Sequence, residues 1–197
     1  MYLNKLVSVG AWAIAAMAVV PGVAFADQTY KTDQGHTEVL FGWSHAGVST
    51  QHAEFTVATG TLNLADDIEK SSISVVINAN SLSSGFEALD RDLKSKNFLE
   101  VETYPEITFQ STAIKQTGEQ SFDVTGDLTI HGVTKPVTLK TEMTHRGEHP
   151  VAKFFDYYKG DWVAFKATTE IDNMDFSVGS FPTGPIVIEI NTELQAK

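Results

Sequence analysis

Most of this chain alternates. From His36 to His45, Val39, Phe41, Trp43 and His45 share one face, and Leu40, Gly42 and Ser44 take the other. A period of two is strand geometry, because successive side chains point to opposite sides of a pleated backbone. Gln28 to Asp33 predicts a first strand. Phe55 and Val57 continue the alternation, and Gly60 punctuates it before Leu62 and Leu64. A charged turn, Asp66 to Lys70, leads to the row Ile73, Val75 and Ile77. Further rows follow: Ile107, Phe109 and Ser111, then Phe122, Val124, Gly126, Leu128 and Ile130. His131-Gly132 predicts a tight turn into Val137 and Leu139, since glycine accepts the positive φ such turns need. Val163, Phe165, Ala167, Thr169 and Ile171 form another row, and Ile186, Ile188 and Ile190 the closing one. Arg146 to Asp161 is the least regular piece, and Ser177 to Pro185 reads as a loop.

The period changes once. Ser84-Gly85-Phe86-Glu87 has the form of a capping box, in which a Ser hydroxyl and a Glu carboxylate satisfy free N–H groups at a helix start. Phe86, Leu89 and Leu93 then share a helical face, while Glu87, Asp90, Arg91, Asp92 and Lys94 fall on the rest of the surface. This predicts a helix from Phe86 to about Lys94, packed through Phe86, Leu89 and Leu93. Tyr104-Pro105 excludes helix, because a proline disfavours the α region for the residue before it.

Many short strands and one helix predict an all-β, antiparallel architecture in a single domain. Such a sheet must leave edges or close on itself. A barrel of about eight strands and a β-sandwich both satisfy the periodicity. A small barrel either fills its interior with side chains or holds one small ligand. Gly126 and Ala167, facing inward among large residues, leave room that neighbours fill or leave empty. A second aromatic set (Phe86, Phe98, Phe154, Phe155, Tyr157, Phe181) sits on irregular segments and is expected over a barrel mouth.

Two blocks carry a resemblance. Leu93-Lys94-Ser95, Phe98, Tyr104-Pro105, Ile107, Phe109 and Ser111 form one. The other is Gly126-Asp127-Leu128-Thr129-Ile130-His131-Gly132-Val133-Thr134-Lys135-Pro136-Val137. Both resemble signatures of the YceI-like family of lipid- and polyisoprenoid-binding proteins, over nearly all of residues 28–195. The resemblance implies a lipocalin-like antiparallel barrel with a helix near its opening. It implies a polyisoprenoid or similar long-chain lipid as partner; the residues themselves require no metal or redox cofactor, and an isoprenoid quinone is one form the ligand could take. On this reading Phe41, Trp43, Phe55, Phe109 and Phe165 line a tunnel, with Ala167 among them. Leu89, Leu93 and Phe98 cover it, and His45 meets the polar head. The chain departs from the family where Arg and Gly are common in its late D-F motif, having Asn173 and Ser177 instead.

Composition narrows the setting. Lys5, the apolar run Leu6 to Val20 and Ala24-Phe25-Ala26 read as a cleavable signal peptide, residues 1–26, in preference to a transmembrane anchor, for which the run is short; this predicts export to the periplasm. The barrel is then assigned to residues 27–197. Without Lys5 the net charge of −11 becomes −12. That opposes nucleic acid and anionic lipid surfaces, which need a basic footprint. No further stretch is apolar enough for a bilayer span, and a homodimer is left open. The absence of cysteine excludes thiol chemistry and thiolate metal sites. No G-x-S-x-G elbow and no H-E-x-x-H or H-x-x-x-H spacing occurs, so no catalytic or metal residue is assigned. An enzyme acting on a lipid-like substrate in the same pocket and a solid-barrel stress-response protein are the alternatives.

Overall fold

The structure, a computed structural model, describes residues 27–197; the expected cleavage after Ala26 and the segment before it lie outside these residues. Ten strands follow in order: β1 (Gln28–His45), β2 (Ser49–Phe55), β3 (Ala58–Leu64), β4 (Ser72–Asn78), β5 (Leu82–Ser83), β6 (Glu106–Gln116), β7 (Ser121–Ile130), β8 (Val133–Glu148), β9 (Asp161–Asp172) and β10 (Pro185–Ala196). Among the described residues one α-helix, α1, spans Glu87–Lys94. β2 and β3 both pair with β1, at its second and first halves, so they are two lengths of one broken strand. β5 extends β4 in the same way, pairing with β2 where β4 pairs with β3. The result is an up-and-down meander of eight antiparallel strands, closed because β10 pairs with β1. Closure leaves no exposed sheet edge. This is the barrel, and not the sandwich.

Alternation sets inside and outside as the sequence predicts. In β7, Phe122, Val124, Gly126, Leu128 and Ile130 are all buried, and their neighbours are not. Val57 departs from its expected row. It is 40 % exposed and lies in the break between β2 and β3, where the Ser81 hydroxyl accepts its N–H. Gly126 leaves no empty room. A Cβ there would lie 2.5 Å from the Phe109 ring and from the Gln110 carbonyl, so Phe109 already occupies the space.

Consecutive connections of a meander lie at opposite ends. The β1–β2 turn, α1 with residues 95–105, the His131-Gly132 turn and residues 173–184 therefore share one end. Residues 65–71, 117–120 and 149–160 share the other. The two sequence signatures meet at the α1 end. The Tyr104 ring packs on His131 at 4.4 Å and lies against Gly132, where a Cβ would meet it at 2.7 Å. His131 and Gly132 both have positive φ, 51° and 73°. These motif residues hold two loops together at one rim.

The helix start differs from the capping box. Phe86 is the N-cap and no side chain caps it. Asp90, not Glu87, reaches back: its Oδ1 accepts from the Ser84 backbone N–H at 2.6 Å and from the Ser84 hydroxyl. That bond holds the Asp90 carboxyl below the usual carboxylate range, so Asp90 is a tether and not merely a solvated charge. Phe86 is 66 % exposed, and Leu89 stays outside the core. The helix is a single short element that packs through Leu93 alone of the predicted three.

Candidate functional site: an apolar cavity in the barrel

The barrel is not solid. A cavity of about 250 Å³ runs along its interior. Inward side chains such as Phe41, Trp43, Val137, Leu139, Ile188 and Ile190 pack against the core yet stay only partly buried. They face the cavity. At the 149–160 end the interior is closed by Tyr30, Leu62, Leu64, Val163 and Leu194, all 5 % exposed or less. Half-buried lining residues occur toward both ends, Phe41, Trp43 and Phe98 on the α1 side and Ile68, Ile73 and Ile114 on the other.

The wall is apolar. Its few hydroxyls are engaged in the wall itself. Thr37 donates to the Asp33 carbonyl at 2.8 Å and shares a hydrogen bond with Thr192 at 2.9 Å. Thr32 accepts the Gly60 N–H at 2.9 Å, and Ser71 the Ala65 N–H at 3.0 Å. Among the described residues, none that lines the cavity is ionisable. Such a void takes apolar matter and excludes water, which needs polar partners to stay.

Eight of the ten residues picked from the sequence line this cavity: Phe41, Trp43, Phe55, Phe109, Phe165 and Ala167 in the wall, Leu93 and Phe98 over its end. Leu89 and His45 do not. Leu89 is half-buried and, although one turn before Leu93 on the same helical face, lies outside the cavity lining. His45 lies beyond the end of the inward row: the strand ends there, its carbonyl accepts the Val48 N–H of the turn, and its side chain is exposed. The aromatic set expected over one mouth is divided between both ends. Phe98 and Phe181 meet edge-on at 6.3 Å at the α1 end. Phe154, Phe155 and Tyr157 lie in the β8–β9 connection, at the closed end.

Asn173 is the residue the pattern passed over. It is 3 % exposed and lines the cavity. Its amide nitrogen donates to the carbonyls of Val178 (2.6 Å) and Phe181 (3.0 Å). Its amide oxygen accepts from the Thr183 N–H (3.1 Å) and hydroxyl (3.2 Å). Asn173 therefore ties residues 178–183 down over the barrel end. Ser177, at φ 56°, takes the left-handed conformation that favours glycine. The only sequence signal was that these two positions depart from the pattern of the resemblance.

Comparisons with known proteins agree with this architecture. The YceI-like domain profile matches residues 30–196. A UPF0312 protein of Vibrio parahaemolyticus is 34 % identical over 164 residues, 83 % of each chain. Among solved structures, Burkholderia cenocepacia BcnA superposes with a TM-score of 0.71 at 20 % identity, over 82 % of this chain and 98 % of that one. A polyisoprenoid binding domain from Saccharophagus degradans superposes with a TM-score of 0.65 at 13 % identity, over 86 % and 99 %. At those identities the likeness to the two structures is one of fold.

Proposed function

This chain belongs to the YceI-like domain family, and from that premise we propose that it binds a polyisoprenoid or similar long-chain lipid inside its barrel and carries or sequesters it in the periplasm. The observation that carries this reading is the cavity of about 250 Å³ with an apolar wall and no ionisable lining residue among those described. The polyisoprenoid binding domain with the same fold supports the choice of ligand class. A wall without acids or bases favours holding a ligand over transforming it, since acid–base chemistry needs a titratable group within reach.

The volume bounds the ligand. An apolar void of about 150 Å³ accepts one benzene, roughly 25 Å³ per carbon, so 250 Å³ houses about ten carbons or two isoprene units. A longer tail and its head group then extend beyond the enclosed space. Each buried CH₂ contributes about 0.8 kcal/mol, which is what draws a long apolar chain out of water.

The test is native mass spectrometry of the protein purified from its own host, followed by organic extraction. A long-chain lipid copurifying with the barrel is expected. Protein that carries none, and retains no long-chain isoprenoid added to it, overturns the reading. The same spectra report export: the mature chain should begin at Asp27, and an exported chain that still contains Lys5 would count against a cleaved signal.

A further inference from the structure

β1 does not pass β10 evenly. Pairing stops at Thr32↔Leu194 and resumes at Thr37↔Thr192, so the four residues 33–36 face Glu193 alone. This bulge lies in the seam where the barrel closes. It brings together three groups far apart in sequence: ligand atoms of Asp33, His36 and Glu193 all lie within 4.8 Å of one another. Thr192 and Leu194 line the cavity, so Glu193 between them points to the outer face. The cluster is separated from the lipid site by the barrel wall.

The cluster is built from several sides. Asp33 Oδ1 accepts from the Gly35 N–H at 3.1 Å and from the Tyr157 hydroxyl at 2.9 Å. Its Oδ2 lies 2.6 Å from His36 Nδ1. The Tyr158 hydroxyl is 3.4 Å from His36 Nε2. Glu193 is the unsatisfied member. Its Oε2 is buried and takes no hydrogen bond. The side chain as a whole is 31 % exposed, and His149 Nε2, 3.4 Å away, is an ion-pair partner to it when protonated, without a hydrogen bond. A buried carboxylate oxygen without a hydrogen bond is costly, and a second carboxylate close by adds repulsion. A cation seated between them answers both.

We propose that Asp33, His36 and Glu193 bind a divalent transition metal ion of the zinc class on the outer wall, stapling β1 to β10 across the barrel seam. Two carboxylate oxygens and one imidazole nitrogen, with no thiolate, suit a borderline divalent ion. His36 is open to solvent, so water can complete the coordination. Tyr157 orients Asp33 from behind, the arrangement by which hydrogen-bonded neighbours fix metal ligands. Binding couples the bulge to the 149–160 connection and should stabilise the closed end of the barrel.

The test is titration of the full exported protein with Zn²⁺, and with Co²⁺ as a coloured probe, alongside thermal unfolding. One ion per chain and a raised Tm that a chelator reverses are expected. Glu193→Gln and His36→Ala should each weaken binding by more than about tenfold and abolish the Tm increase. Asp123→Asn, at the surface pair with Lys140, should leave both unchanged, and isoprenoid retention should not change in any of the three. Circular dichroism checks folding. X-ray absorption of the zinc-loaded wild-type protein gives a reading that needs no variant: one imidazole and oxygen ligands are expected. Absence of saturable binding, binding undiminished in both variants, or a site with two or more imidazoles would each overturn the assignment.

Discussion

Ala167→Phe should block the cavity and leave the barrel standing. Ala167 is paired with Thr141 on β8 and Ile190 on β10, and all three line the cavity. A phenyl ring there is expected to enter the cavity that Ala167 borders. One benzene needs about 150 Å³, so the ring consumes more than half of the 250 Å³. About 100 Å³ remains, enough for roughly four carbons instead of about ten. Six carbons at about 0.8 kcal/mol each represent about 5 kcal/mol of gross burial, more than a thousandfold in Kd. Folding stability should move little. Burying the ring contributes about 1.5–3 kcal/mol, against about 1–3 kcal/mol of overpacking strain. The assay is retention of a long-chain isoprenoid alcohol by purified protein in native mass spectrometry, with circular dichroism as the folding control. Val187→Phe is the matched comparison: Val187 is on the outer side of β10 and 39 % exposed. Unchanged retention in folded Ala167→Phe would mean that the ligand does not lie in this cavity. Equal loss in Val187→Phe would mean that occlusion is not the cause.

Three further outcomes follow from the same structure. Asn173→Ala removes a buried amide that serves four partners in residues 178–183. It should cost about 2–4 kcal/mol and raise hydrogen exchange in that loop; protection equal to wild type would show that the loop holds itself. Gly126→Ala should cost about 1–3 kcal/mol in urea unfolding, and Phe109→Leu added to it should recover only part, because the Gln110 carbonyl still meets the new Cβ. Full recovery would mean that the backbone contact does not matter. Burial, then its hydrogen bond to Asp161, pushes the Tyr30 phenol from 10.0 up to about 12. Above pH 10 the unfolded chain ionises this group while the folded chain does not. That contribution is intact below pH 10 and falls away as pH rises toward 12, on the order of 2–3 kcal/mol in all. The alkaline fall in stability should be shallower in Tyr30→Phe, and an identical slope would refute the linkage.

What the sequence could show was which way each side chain points. A period of two survives wherever one face is wet and the other dry, so the rows in β6, β7, β9 and β10 were legible. Strand ends were not, since the last residue of a row keeps its parity but loses its neighbours; His45 is that case. The helix was legible as an element but not in its contacts. Eight residues of helix give too few turns to say which of Phe86, Leu89 and Leu93 meets the barrel, and only Leu93 does. The cap went to Asp90, four residues after Phe86, because one turn of helix brings it back over Ser84.

Whether the barrel was hollow was beyond the pattern for a different reason. Parity says that Gly126 and Ala167 both face inward, and both are small. Yet Phe109 fills the space at Gly126, and the space at Ala167 stays open. The difference lies in which residue stands across from each, which is set by register, and register depends on bulges between Ser111 and Ala113 and between Thr32 and Thr37. The second of these bulges also turns Asp33 and His36 toward Glu193, about 160 residues away in sequence. Spacing along the chain could not reveal that group, because two of its members are neighbours only through an irregularity and the third only through closure of the sheet. The same departure from regular pairing thus marks the barrel's seam and gathers the polar cluster on its outer face. Lipid binding in the interior and metal binding at the seam, as proposed, are therefore separable, and Ala167→Phe and Glu193→Gln should disturb them one at a time.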